Sequence, residues 1–226
     1  WQMQHEIRTG RVTLADYDFE KPATSLRTDA VSSGRGHEHA DFEVYDYPGG
    51  YIDKAEGKAI AERRLEALSA GFTRYAGLAS HPDMTTGCRF KLHNHPRADQ
   101  NTDYLVLRTD IRAELAAYES GVGEDTKYEC RFVAQRLADP VRPPRRTPKP
   151  FVQGPQTAVV VGPSGEEIFT DKYGRVKVQF HWDRRGKKND KSSCWVRVSS
   201  PWAGKSFGFV QIPRIGQEVV VSFLEG

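Results

Sequence analysis

The amino-acid sequence predicts a mainly β protein with a single long helix, arranged as two domains. Short strand-like runs between Gly and Pro turns recur along most of the chain. Only residues 53–70 combine helical periodicity with capping residues at both ends. A proline-rich stretch, DPVRPPRRTPKP at residues 139–150, interrupts both patterns. These three observations give the fold class and the position of the domain boundary.

The composition is that of a folded, soluble chain. Its 226 residues are 38% hydrophobic, and 33 basic residues face 30 acidic ones. The net charge of +3 is too small to indicate a polyanion partner by itself. Apolar runs fall far short of the roughly 20 residues that cross a bilayer, so we expect no membrane insertion. Three separated cysteines without a CxxC pair predict neither a disulfide framework nor a thiolate zinc site.

The proline-rich stretch is the predicted linker. Prolines at this density remove backbone donors and favour extended, polyproline-like structure. We therefore predict a first domain over residues 1–139, a linker over residues 140–150 and a second domain over residues 151–226.

The predicted helix begins after Asp53, which can cap it, and Glu56 stands where a capping box places an acid. Gly71 follows the last helical residue and can end the helix. Gly57 weakens a helix by about 1 kcal/mol relative to Ala, so we expect a packing reason for its presence. One apolar stripe faces the core: Ala61, Leu65, Leu68 and Phe72.

The other predicted elements are strands. In the first domain they cover residues 42–46, 88–93, 104–109 and 128–136, and residues 111–118 fit either a helix or a strand extension. In the second domain they cover residues 157–161, 167–170, 174–181, 194–199, 207–212 and 218–223. Five or six short strands in roughly 70 residues are typical of a small closed barrel of the oligonucleotide/oligosaccharide-binding (OB) type, with an SH3-like barrel as the alternative.

Alternation along the strand at residues 174–181 predicts one buried and one solvated face. The buried face carries Val176, Val178, Phe180 and Trp182. The solvated face carries Lys177, Gln179 and His181.

The last two strands carry apolar residues on both faces: Phe207 and Phe209 against Val210 and Ile212, then Val219, Val221 and Phe223 against Val220 and Leu224. A small barrel has only one interior, so the first domain or another subunit must cover the outer residues. In the preceding predicted strand, Trp195 and Arg197 alternate with Cys194, Val196 and Val198, so we also expect these two side chains on the outside. We predict a subunit interface that contains Trp195, Arg197, Phe207, Phe209, Val220 and Leu224.

No residue spacing is typical of a catalytic centre. His37 with His39, and His93 with His95, form two HxH pairs that could each bind zinc from one side of a strand. No HExxH or similar spacing supplies a further ligand and a base, and GxSxG and phosphate-binding loops are missing as well. We therefore predict no catalytic residues, no metal and no cofactor.

Single-stranded nucleic-acid binding is the alternative from another functional class. An OB barrel with a basic loop at residues 184–191 and several aromatic residues has the composition for it. Against it, alternation places Trp182 with the core valines, and a loop that also contains Asp190 is typical of a solvated hairpin tip. The aromatic residues available for stacking are Trp182, Trp195, Trp202, Phe207 and Phe209.

Residues 173–226, YGRVKVQFHWDRRGKKNDKSSCWVRVSSPWAGKSFGFVQIPRIGQEVVVSFLEG, resemble the valine-glycine repeat G (VgrG) spike family of type VI secretion systems. The preceding TPKPFVQGPQTAVVVGPSGEEIFTD is similar to the start of that family's OB domain, and RPP at residues 142–144 to its linker. The resemblance continues upstream in FEVYDYPGGYIDKAEGKAIAERRLEAL, residues 42–68, and in HPRADQNTDYLV, residues 95–106.

This resemblance implies a partial phage tail-hub-like β domain over residues 1–139 and the OB-fold base of the spike over residues 151–226. Members of the family are trimers that cap a tube of haemolysin-coregulated protein. They carry a PAAR-repeat tip protein and effector proteins into target cells, after assembly in the bacterial cytoplasm and secretion through the type VI system into the target cell or medium. The implied function is mechanical and involves no nucleic acid. It also implies that the first part of the hub and the needle lie outside these 226 residues.

Overall fold

The computed structural model describes residues 1–32, 41–114 and 127–224. The chain divides into two units, Trp1–Arg146 and Thr147–Gly226, and the division falls within residues 140–150. Strands dominate the described residues and one α-helix accompanies them, which confirms the predicted fold class. In the same part of the chain, no helix has the length and apolar character needed to cross a bilayer.

Thirteen strands, one α-helix and one 3₁₀ helix follow one another along the described residues. Those of the first unit are β1 (Gln2–His5), β2 (Arg11–Leu14), β3 (Thr28–Val31), β4 (Glu43–Asp46), α1 (Lys54–Ser69), β5 (Thr73–Ala79), β6 (Arg89–Lys91), the 3₁₀ helix (Ala98–Gln100), β7 (Asp103–Glu114) and β8 (Lys127–Arg136). Those of the second unit are β9 (Gln156–Val161), β10 (Lys177–Phe180), β11 (Ala203–Gly204), β12 (Phe207–Gly208) and β13 (Glu218–Val221).

Five antiparallel strands form the larger sheet of the first unit, in the order β1, β5, β8, β7, β6. β7 is longer than predicted because it continues past a bulge between Val106 and Arg108, so residues 111–114 of the ambiguous stretch are strand. Residues 115–118 lie outside the described part of the chain. Aromatic side chains dominate the core of this sheet: Tyr75, Tyr104 and Phe132 are buried, half-buried Phe90 packs against them, and the exposed ring of Trp1 stacks on Tyr75.

The second unit is built on an antiparallel sheet in the order β10, β9, β13, and β11 with β12 forms a separate hairpin. Three predicted strands are wrong in extent. Residues 167–170 form no strand, residues 194–199 contribute one bridge from Val196 to Val176, and residues 207–212 are strand only at β12. Just before residues 194–199, a side chain takes the place of a strand partner, since the N–H of Val178 in β10 donates to Ser193 Oγ at 3.0 Å. The buried core consists of Ala158, Val160, Val176, Val178 and Val221.

Helix α1 begins after the predicted N-cap. The Asp53 carboxylate accepts hydrogen bonds from the backbone N–H groups of Ala55 and Glu56 at 2.8 and 3.0 Å. The helix ends at its C-cap Ala70, directly before Gly71. Both ends thus agree with the sequence prediction.

The apolar stripe of α1 packs on the smaller sheet of the first unit, in which β2 lies between antiparallel β3 and parallel β4. Ala61, Leu65 and Leu68 belong to this core, as predicted. Phe72 lies beyond the helix end, and its ring instead contacts the ring of His5.

The buried ring of Tyr51 explains the glycine within α1. Tyr51 Oη donates to the carbonyl oxygen of Leu26 at 2.6 Å, which holds the ring in place. A β-carbon at Gly57 would lie 2.3 Å from this ring, and one at Gly49 would lie 2.2 Å from it. The helix can therefore approach Tyr51 closely only because Gly57 has no side chain, which is the packing reason expected from the sequence.

We expect Gly57→Ala to destabilise the first unit although alanine has the higher helix propensity. The propensity gain is about 1 kcal/mol, whereas a methyl group forced against an anchored ring costs about 1 to 3 kcal/mol. An overlap at 2.3 Å places the cost at the upper end of that range. Thermal unfolding followed by circular dichroism should show a lower Tm.

Arg63→Ala, at an exposed position of the same helix, is the matched control and should leave the Tm unchanged or raise it. A Gly57→Ala variant more stable than the original chain would show that Tyr51 moves aside at little cost.

Candidate subunit interface

The chain at and after β13 has apolar side chains on both faces. Val219, Val221 and Phe223 pack in the core of the second unit. Val220 and Leu224 point the other way and are 70% and 86% exposed. The two-sided pattern predicted for residues 219–224 therefore leaves an apolar row in solvent, here termed the β13 outer face.

β11 and β12 form a hairpin that displays large apolar side chains to solvent. Ala203–Gly204 pairs with Phe207–Gly208, and the N–H of Phe209 donates to the carbonyl oxygen of Trp202 at 2.8 Å. Residues 202–210 are termed the aromatic hairpin. Its exposed apolar members are Trp202, Phe207, Phe209 and Val210.

Two glycines give this hairpin its shape. A β-carbon at Gly204 would lie 2.2 Å from the Phe207 ring, so the ring rests against the backbone there. Gly208 has a φ of +138°, and a β-carbon on it would lie 2.7 Å from the carbonyl oxygen of Trp202. The Phe207 ring then meets Trp202 edge-on at 6.3 Å. The aromatic hairpin thus has a defined geometry.

Trp195 and Arg197 alternate with Val196 and Val198, which pack against the core of the second unit. Arg197 is exposed. The Trp195 ring is half-buried, because the Phe169 ring lies 5.1 Å away and Lys177 Nζ lies 4.7 Å from its centroid. Of the six residues predicted for the interface, five are exposed, and Trp195 is engaged mainly within its own chain.

The alternation predicted around β10 is wrong at two positions. The strand ends at Phe180, so Trp182 lies on a turn, where it is 70% exposed and stacks on Phe180 instead of entering the core. Gln179, predicted on the solvated face, is only 7% exposed because it bonds the loop that follows. The aromatic residues considered for nucleic-acid stacking therefore lie in different environments. Trp182 is exposed on a turn, Trp195 is half-buried, and the others belong to the aromatic hairpin.

A carboxylate holds the turn that leads into β10. Asp171 Oδ1 accepts from the N–H groups of Tyr173 and Arg175 at 2.9 and 3.0 Å, and Oδ2 accepts from Arg175 Nε at 2.6 Å. Burial acts to raise the pKa of the Asp171 carboxyl, but the bonds from Arg175 and from the two backbone N–H groups outweigh it. The pKa therefore lies below its ordinary value, and the ionised carboxylate stabilises the folded unit.

The described histidines do not gather into a metal site. The N–H of Arg97 donates to His95 Nδ1 at 3.1 Å. No group of three or more His, Cys, Asp or Glu side chains converges within residues 1–32, 41–114 and 127–224. His37 and His39 lie outside these ranges.

We expect part of the stability of the second unit to disappear in acid. Because the pKa of Asp171 is lower in the folded than in the unfolded chain, its contribution is fully present above the unfolded value and is lost as pH falls through the folded one. Asp171→Asn should be less stable at neutral pH and lose less stability between about pH 5 and pH 2, measured by urea unfolding. Glu166→Gln, an exposed control, should keep the original profile. An Asp171→Asn variant with an unchanged pH profile would contradict this assignment.

We expect Trp195→Ala to lower the free energy of unfolding of the second unit by about 2 kcal/mol, because the substitution removes the contacts with Phe169 and Lys177. Trp182→Ala is the matched control and should cost less, since Trp182 is more exposed and lies outside the aromatic hairpin. Urea unfolding followed by circular dichroism measures both. Equal stability of Trp195→Ala and the original chain would show that this indole is available to a partner after all.

Two family models match the chain, one in each unit. The model described as phage tail baseplate hub (GPD) matches residues 1–117, just over half of the chain. The model described as type VI secretion system/phage-baseplate injector OB domain matches residues 166–226.

Curated relatives from Pseudomonas aeruginosa match along the whole chain. The type VI secretion system spike proteins VgrG1b and VgrG1c are each 48% identical over 227 residues, which is 100% of this chain and 30% and 31% of theirs. The chain thus spans less than a third of the length of these relatives.

A solved structure shares the fold. It is described as the E. coli c3393 protein, a component of the type VI secretion system with structural similarity to the T4 bacteriophage tail proteins gp27 and gp5. The match has a TM-score of 0.52 at 19% identity and covers 95% of this chain and 53% of that one.

These comparisons agree in both units, and they do not support the nucleic-acid alternative. The chain belongs to the phage tail baseplate hub family, and over its whole length it is similar to VgrG spike proteins of type VI secretion systems.

Proposed function

We propose that this chain is a structural part of the trimeric puncturing spike of a type VI secretion system. The observation that carries the proposal is the exposed apolar surface of the second unit, formed by the β13 outer face and the aromatic hairpin. This surface lies in the unit that matches the injector OB domain, in a chain whose relatives are named spike proteins.

Apolar surface of this kind favours a protein partner. Burying a Val, Leu or Phe side chain stabilises by about 1.5 to 3 kcal/mol, and aromatic residues commonly carry much of the binding energy of an interface. Most soluble oligomers are assemblies of identical chains, so a second copy is the first partner to consider. The exposed side chains that such a partner would cover are Phe207, Phe209, Val220 and Leu224.

A threefold ring needs two different surfaces on each subunit, because every contact joins one surface of a subunit to the other surface of its neighbour. The second unit offers two such surfaces. We infer that the β13 outer face of one subunit receives the aromatic hairpin of the next. Exposed Arg197 also belongs to the proposed interface, whereas the half-buried Trp195 packs mainly within its own chain.

The proposed role is mechanical and uses no catalytic residue, metal or cofactor. The spike caps a tube of haemolysin-coregulated protein and carries a PAAR-repeat tip protein and effector proteins. It is assembled in the bacterial cytoplasm and leaves through the type VI system into the target cell or medium. The similarity of the chain to VgrG spike proteins supports these partners and this route.

The oligomeric state tests the proposal. At micromolar concentration, sedimentation velocity should show three chains. Val220→Asp with Leu224→Asp, and separately Phe207→Ser with Phe209→Ser, should each shift the chain to monomer, because each pair disables one of the two surfaces. Leu78→Asp, at an exposed apolar position of the first unit, is the matched control and should leave the trimer intact.

Mixing the two disabled variants gives the sharper result. Each keeps the surface that the other lacks, so the mixture should form a dimer of unlike chains and stop there. An original chain that stays monomeric at its highest soluble concentration would contradict the proposal. Disabled variants that remain trimeric would place the contact elsewhere.

A further inference from the structure

We propose that residues 183–192, here termed the cationic loop, form a preorganised docking site for an acidic protein surface. The inference rests on the proposed function in one respect, since a spike is an assembly of proteins. It concerns a surface distinct from the β13 outer face and the aromatic hairpin.

The charges of this loop are displayed to solvent and left unbalanced. All five of its basic side chains are exposed. Among the ion pairs of the described residues, none involves any of the five. The loop has only two acidic residues, and Asp183 Oδ1 is occupied by the N–H groups of Arg185 and Gly186 at 3.0 Å each. The five cations are Arg184, Arg185, Lys187, Lys188 and Lys191.

A buried glutamine fixes the path of the loop. Gln179 Oε1 accepts from the N–H of Lys188 at 2.7 Å and from Ser192 Oγ at 3.1 Å. Gln179 Nε2 donates to the carbonyl oxygen of Asp183 at 3.1 Å. One side chain of β10 therefore bonds the beginning, middle and end of the loop.

Polar side chains of the loop complete this arrangement. The N–H of Asn189 donates to Ser192 Oγ at 3.1 Å, and the N–H of Lys191 donates to Asn189 Oδ1 at 3.0 Å. Asn189 and Ser192 are half-buried, whereas the cations around them are exposed. The loop thus turns its neutral polar groups inward and its positive charges outward.

This construction goes beyond what a solvated hairpin tip requires. A solvated tip accounts for the exposed cations but not for a buried glutamine, whose polar group is costly to bury unless it is hydrogen-bonded. A loop already held in one conformation loses less entropy when a partner binds. Fixed positive charges on such a loop fit a complementary acidic surface and speed the encounter with it.

The arrangement favours a protein over a single-stranded nucleic acid. Single-strand sites combine a basic groove with a series of aromatic rings on which successive bases stack. The cationic loop itself contains no aromatic residue. Trp182 beside it has one ring face against Phe180, and its Nε1–H donates to Gln156 Oε1 at 2.9 Å.

Two variants separate charge from shape. In the first, Arg184, Arg185 and Lys187 are all changed to Gln, which removes three charges. In the second, Gly186→Ala keeps every charge but places a β-carbon 2.3 Å from the Gln179 side chain and 2.4 Å from Asp183 Oδ2, so these side chains or the loop must shift and the bonds between them are disturbed. The control changes Arg145, Arg146 and Lys149, three exposed cations outside the loop, to Gln.

The probe is a fluorescein-labelled decaglutamate peptide, and its binding to the full chain is followed by fluorescence anisotropy. We expect about tenfold weaker binding for the triple loop variant and a several-fold loss for Gly186→Ala. The control should change binding less than about twofold. If Gly186→Ala lowers the Tm of the second unit, Ser192→Ala is used instead to test whether the loop conformation matters. This substitution removes two hydrogen bonds that hold the loop and adds no atom.

Equal peptide binding by Gly186→Ala, Ser192→Ala and the original chain would overturn the proposal, because shape would then not matter. Tighter binding of a thymidine oligonucleotide of equal charge would also overturn it, in favour of nucleic acid. Sedimentation of the same samples distinguishes the two proposals. If the chain is a trimer but its peptide binding does not depend on the loop, the proposed function stands and the docking site is contradicted. If the chain is a monomer whose peptide binding depends on the loop, the docking site stands and the trimeric spike is contradicted.

Discussion

The packing of Val219, Val221 and Phe223 into the core of the second unit decides which side of β13 meets solvent. Once Val219 and Val221 fill the interior, the period of two along β13 leaves Val220 outside, and Leu224 beyond the strand end is exposed as well. A unit of this size has a single core, and its described residues include no helix that could cover the outer row. The apolar surface is therefore a consequence of the core, because a shift of register by one residue would exchange the two rows.

Glycines let aromatic rings approach the backbone in both units, with different results. In the first unit, Gly49 and Gly57 admit the anchored ring of Tyr51, which joins helix α1 to its sheet. In the second unit, Gly204 admits the Phe207 ring on a hairpin that is open to solvent. The first arrangement stabilises a core. The second arrangement holds the Phe207 ring in a fixed position at the surface. Less side-chain conformational entropy is then lost when a partner covers this ring.

Local spacing predicted the helix and part of the strands, but it missed β1, β2, β3 and β5 of the first unit. Tertiary contacts explain the errors at individual residues of the second unit. The limits of α1, the position of β9 and the two faces of β13 follow from caps and periodicity within a few residues. Gln179 was misassigned because its partners, Lys188 and Ser192, lie on a loop whose return to β10 no periodicity indicates. Trp195 was predicted to be open because its cover, Phe169, comes from a distant segment. Alternation at residues 194–199 and 207–212 indicates extended backbone, but a strand also needs a partner, which most of these residues lack in the described chain.

The cationic loop and the apolar surface divide one face of the same sheet between them. Val159 of β9 pairs with Gln179 of β10 on one side and with Glu218 of β13 on the other, so these three side chains share a face of the sheet. Val220 lies two residues after Glu218 in β13 and therefore belongs to the same outer face. Their exposure rises across the sheet, since Gln179 is buried, Val159 is half-buried and Val220 is exposed. The loop bonded to Gln179 covers the β10 side, which leaves the apolar row open only along β13. A neighbouring subunit at β13 and an acidic partner at the loop would therefore bind different parts of this face. Salt should distinguish them, because screening weakens contacts between exposed charges and leaves apolar burial intact.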